Sequence, residues 1–165
     1  MKRFALFLLS ACPGVAVLLM VTGCVDATRW PYTPGYAASG VYRIEAWNER
    51  SHYYAGEKVR MRVTLTSLAR EPRTWGDEKT KVPVLDIHMV SAKRADGQVE
   101  EHFWSQEHPD KVKYSVTLKT GDWYVVEWEF TPQLLEHYYA EAIFLGEHAL
   151  SLDFVYGVEP PGPLP

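Results

Sequence analysis

An all-β sandwich is the fold class this chain predicts, and three observations carry that prediction. Polar and apolar residues alternate with period two through most of residues 41–157. Turn-forming pairs, Ala55-Gly56, Asp96-Gly97, Gly121-Asp122 and Gly146-Glu147, divide the alternating runs into short pieces. Only one stretch, TPQLLEHYY at 131–139, suits a short helix, with Pro132 early in its first turn. Short strands punctuated this often indicate seven or eight strands in two antiparallel layers.

Residues 1–23 come before any of this pattern. Lys2 and Arg3 precede a long apolar run from Phe4 to Val21, the layout of a secretory signal. No A-x-A-like cleavage site ends it. Instead Val21-Thr22-Gly23-Cys24 resembles the lipobox of bacterial lipoproteins. That resemblance implies cleavage between Gly23 and Cys24 and a diacylglycerol on the Cys24 sulfur. A second acyl chain makes such an anchor stable where one alone is marginal. An uncleaved transmembrane helix is the competing reading, and Pro13-Gly14 interrupts it in the middle. The implied location is extracytoplasmic, tethered to the cell membrane by lipid.

Cys12 lies in the leader and Cys24 is the lipid site, so the mature chain has no thiol for a disulfide, metal or nucleophile. An apolar core must supply its stability. Loss of Lys2 and Arg3 takes the formal charge from −4 to about −6. A mildly acidic domain without a basic run gives no support to nucleic-acid binding.

Residues 24–40 are rich in Pro, Gly and small residues and read as a lipid-anchored tether, with Trp30, Tyr32 and Tyr36 expected to pack back on the domain. The sandwich is expected over 41–157. Its first strand, VYRIEAW at 41–47, sets Tyr42, Ile44 and Ala46 against Arg43, Glu45 and Trp47. EKVRMRVTL at 57–65 is the clearest, with Val59, Met61, Val63 and Leu65 inward. VLDIHMV at 84–90 alternates Leu85, Ile87 and Met89 against Asp86 and His88. VEEHFW follows the Asp96-Gly97 turn, and KYSVTL occupies 113–118. WYVVEWEF at 123–130 places Tyr124, Val126, Trp128 and Phe130 on one face and Glu127 and Glu129 on the other. YAEAIFL and ALSLDFVY flank the last turn. Residues 158–165, ending PPGPLP, read as a Pro-rich extended tail.

The run from VRMRVTLTSLAREP through PVLDIHMVSAKRADGQVEEHFWS to VTLKTGDWYVVEWEF resembles the bacterial domain family named for an intracellular proteinase inhibitor. The likeness covers roughly residues 59–130. It implies an immunoglobulin-like version of the sandwich and, through the family's name, protease inhibition. The segment 69–82 is the candidate inhibitory loop.

Signs of chemistry are sparse. His52, His88, His102, His108, His137 and His148 show no HxxxH or HxH spacing that would put two imidazoles on one face. His88, Met89 and Met61 together form the one candidate soft-metal set, a copper carrier by chemistry, although the methionines fall on inward positions. Glu127 and Glu129 stand about 6.5 Å apart along a strand, a spacing acid–base chemistry permits, yet alternating Glu also keeps a sheet face soluble. No serine lies in a G-x-S-x-G elbow, and no phosphate-binding loop occurs. The expectation is a non-catalytic module without cofactor beyond the lipid on Cys24, binding an envelope protein or membrane complex. Trp75, Asp77 and Trp104, in the longer polar connections, are the candidate contact residues.

Overall fold

A computed structural model of the chain describes residues 35–158. The leader, Gly23, Cys24, Trp30, Tyr32 and the tail from 159 lie outside the described residues. The strands run β1 (Gly35–Ala38), β2 (Tyr42–Asn48), β3 (His52–Tyr53), β4 (Val59–Ser67), β5 (Arg73–Gly76), β6 (Leu85–Ser91) and β7 (Glu101–Phe103). One turn of helix follows, α1 (Trp104–Glu107). Then come β8 (Ser115–Leu118), β9 (Trp123–Phe130), β10 (His137–Phe144), β11 (Glu147–Ser151) and β12 (Phe154–Tyr156).

Two main sheets form the sandwich. One has the order β1-β2-β4-β9; the other runs β3-β12-β10-β6-β7, with β11 also on β10. Pairing is antiparallel except between β12 and the two-residue β3. β4 sits between β2 and β9, while β10 joins β6 to the C-terminal strands, which is the strand arrangement of an immunoglobulin-like sandwich. The eight expected strands are all present, the last divided into β11 and β12. Three short ones, β1, β3 and β5, are additional, and β1 falls within the stretch expected to be tether.

The inward positions follow the alternation. Val59, Met61, Val63 and Leu65 of β4 face Leu85, Ile87 and Met89 of β6 across a dry interior, and all are buried. Trp128, Tyr138 and Phe154 fill the middle, where antibody domains place a disulfide. Ala140, two residues after Tyr138, stands where such domains carry their second cysteine.

The expected helix at 131–139 does not form. His137–Phe144 is strand β10, and the residues before it make a corner. Tyr138 causes this: its hydroxyl oxygen accepts the Leu134 N–H at 3.2 Å, the tyrosine corner of this fold. The one hydroxyl proton is donated to the Glu100 carboxylate, and burial together with that charge pushes the phenol pKa well up. Tyr138→Phe should lower stability by about 1.5–3 kcal/mol, the range for a hydrogen bond to a charged group. Tyr139→Phe, on the exposed side of the same strand, should shift thermal unfolding by nothing measurable.

Candidate functional site

The two tryptophans expected to meet a partner are core residues instead. Trp75 is 5% exposed. It lies on β5, which pairs with β8 in a separate two-stranded ribbon, and its ring meets Tyr42 edge-on at 5.3 Å and Phe144 at 5.8 Å. The segment 69–82 is therefore partly folded strand, not a free inhibitory loop. Gly76 explains why the ribbon can lie so close. A β-carbon there would stand 2.3 Å from the Tyr114 carbonyl oxygen, and its φ is +78°. Asp77 is exposed but acts locally, since its carboxylate accepts from Lys79 N at 2.9 Å and closes the following turn. Trp104 is 3% exposed and donates its indole N–H to the Glu127 carbonyl at 3.0 Å, covering the free edge of β9.

The soft-metal set does not converge. Met61 and Met89 are buried in the core, while His88, on the other face of β6, points outward. Among the described residues no group of three or more His, Cys, Asp or Glu is placed to hold a metal ion.

The outer face of the four-stranded sheet is an accessible surface with binding chemistry. Trp123 opens β9 and is 68% exposed, with Val125 beside it on the same face. Thr66 and Thr64 of β4 stand opposite them, and Arg43 and Glu45 of β2 continue the two rows. Together with Arg62 and Glu127 they line a shallow concavity of about 550 Å³. Further along, cross-strand ion pairs tile the sheet: Arg62 to Glu127 at 2.6 Å, and Lys58 and Arg60 to Glu129 at 2.6 and 2.7 Å. Hydrogen bonds from Lys58 and Arg60 hold the Glu129 carboxyl below its usual range.

The outer face of the six-stranded sheet carries a different chemistry. His88 faces two carboxylates: Nδ1 lies 3.0 Å from Glu141 Oε1 and Nε2 lies 2.9 Å from Glu101 Oε1. Phe103 stacks on the imidazole at 4.2 Å. The other Glu141 oxygen meets His148 Nδ1 at 2.7 Å. On the opposite side of β7, His102 faces Glu100 at 3.0 Å and Glu107 at 2.6 Å. Glu107 also accepts the Trp128 indole N–H at 3.2 Å. Glu100 further accepts the Gln133 and Leu134 amides; burial opposes its charge, yet these bonds and Tyr138 hold its pKa low.

Sequence reasoning missed all three features. Trp123 sits at the first position of its strand, where alternation gives the weakest sense of side. The glutamates around His88 are 13 and 53 residues away, so no local spacing marks them. Asp86, expected to face solvent, is buried because α1 covers it: it accepts Ser105 Oγ at 2.5 Å and Ser105 N at 2.9 Å.

No family model and no curated protein matches the chain. Solved structures do. A mutant β-glucosidase from Listeria innocua in complex with laminaribiose superposes with a TM-score of 0.50 at 13% identity, over 77% of this chain and 17% of that one. The alkylpurine DNA glycosylase AlkC of Pseudomonas fluorescens gives 0.48 at 14% identity, over 73% and 31%. The CARDB domain of a Pyrococcus furiosus protein gives 0.40 at 13%, over 73% and 97%. The chain spans less than a third of the length of the two enzymes. At such identities the likeness is one of fold alone.

Proposed function

We propose that this chain is an extracytoplasmic lipoprotein, anchored to the membrane through Cys24, whose sandwich is a non-catalytic protein-binding module serving a membrane complex. The observation that carries the binding half is Trp123. A large indole left 68% exposed on a rigid sheet, with arginines at its flank, is the composition of an interface hot spot. The surface is broad and shallow, which suits another protein better than a small substrate. Glu129 is ion-paired to Lys58 and Arg60, which hold its carboxyl below the usual range, and a carboxyl kept ionised by cations is poorly suited to act as a general acid. The anchor supports the reading physically. A lipid-held domain meets membrane partners at a raised effective concentration, so a modest interface suffices.

One experiment with two arms tests both halves. Metabolic labelling with a fatty acid in the native host should mark the wild type and leave Cys24→Ser unmarked. A photo-crosslinking residue at position 123 should give one discrete adduct on membranes, and the same residue at position 139 should give none. An unlabelled wild type ends the lipoprotein reading. A labelled protein with no adduct at 123 ends the assignment of the binding face.

A further inference from the structure

We propose that β7 is a strap tied across the outer face of β6 by a protonated His88, and loosened when that ring loses its proton. The geometry is the argument. A neutral imidazole has one N–H and one lone pair. His88 presents both ring nitrogens to carboxylate oxygens, at 3.0 and 2.9 Å. Only the doubly protonated ring can donate at both positions. Deprotonation turns one of the two contacts into lone pair against carboxylate, which is repulsive.

These contacts bear on the three residues of β7. It is an edge strand, paired to β6 from His88 to Val90. His88 ties it to the outer face through Glu101. Glu100, just before it, is fixed separately by Ser91, Tyr138 and the Gln133 and Leu134 amides. His102, on β7 itself, meets Glu100 and Glu107 of its own segment. Every charged group near the two rings can be named. Glu101 of β7 and Glu141 of β10 meet His88, with His148 of β11 beyond Glu141. Asp153 shares a groove with His88, and Asp86 stands two residues away on β6, occupied by Ser105. His102 meets Glu100 and Glu107, with Tyr138 behind Glu100 and the rings of Trp128 and Phe130 alongside. The surroundings of His88 are anionic almost throughout, so its cationic ring is the binding agent. Burial works against the charge on His88, and the hydrogen bonds and charges of Glu141 and Glu101 outweigh it, raising the pKa above 6.5.

The sign follows. A raised histidine contributes stability that is complete below 6.5 and disappears as pH climbs through the raised value. The strap is therefore tight in mild acid and loose in alkali. Neither end depends on His88: Glu100 is held as above, and Asp86 holds α1 through Ser105. Loosening is thus confined to Glu101–Phe103 and bares the edge of β6 from His88 to Val90, where a partner strand could pair.

Amide hydrogen exchange on the full chain, corrected for intrinsic rates, tests the proposal between pH 6 and pH 9. Protection of residues 101–103 should fall at least tenfold relative to β4, while residues 104–108 keep theirs. In His88→Gln, whose amide carries no titrating proton, the pH-dependent fall should shrink at least threefold. Unchanged protection of 101–103 in the wild type would overturn the strap. So would an equal loss in β4, which would mean global opening, or a profile in His88→Gln identical to that of the wild type.

Discussion

Trp128→Ala should lower the free energy of unfolding by about 3–5 kcal/mol, the cost of deleting a buried indole from a core that cannot fully collapse. Trp128 is 2% exposed on the inward face of β9, with Phe130 at 4.7 Å. Its removal also takes from Glu107 the indole N–H that the carboxylate accepts. Domains of this size have about 5–15 kcal/mol in total, so this one change removes roughly a fifth or more. Glu127→Ala, one residue away, takes out an exposed ion pair with Arg62 and should cost less than about 1 kcal/mol. Urea unfolding compares the two. Coincident midpoints would mean that the two faces of β9 are exchanged.

Trp75→Ala should cost about 3 kcal/mol, at the low end of the same range. The ring closes the space between Tyr42 of β2 and Phe144 of β10, where the β5–β8 ribbon packs against the sandwich. What moderates the loss is the indole nitrogen, which is buried without a hydrogen-bond partner and is therefore a desolvated donor. Trp75→Phe keeps the ring contacts and removes that donor, so it should fall within about 1 kcal/mol of wild type. If Trp75→Ala unfolds at the wild-type urea concentration, the ribbon is not part of the core.

These two tryptophans show how far sequence carries. Trp128 is legible because it belongs to eight residues of clean alternation, and the pleat of a strand converts parity directly into side. Trp75 is not. Its strand is four residues long, next to charged and turn-forming residues, too short for any period to be read. Residues 131–139 mislead for the opposite reason. An early proline and a run of Leu, Glu and Tyr fit a helix locally, but one hydroxyl, that of Tyr138, binds the backbone into a corner. The His88 clasp is invisible in principle. Its partners are joined by strand register, which depends on the whole sheet having formed. The Trp123 face lies between these cases: parity gives the side of its neighbours, and nothing in the sequence tells an exposed indole from one that a later loop would cover.

One short element has a mechanical meaning. β1 is the outermost strand of its sheet, an antiparallel hairpin with β2 whose open end pairs Gly35 with Ala46 and whose closed end pairs Ala38 with Arg43. A pull arriving from the N-terminal side acts at that open end and loads the hydrogen bonds one after another, as a zipper is opened, not all together in shear. Peeling β1 lengthens the chain between the load and the sandwich by four residues, roughly 13 Å of extended backbone. The β2–β4–β9 ladder behind it stays intact while this happens. Loaded in this way, β1 is the part of its sheet that would part first, one pair at a time.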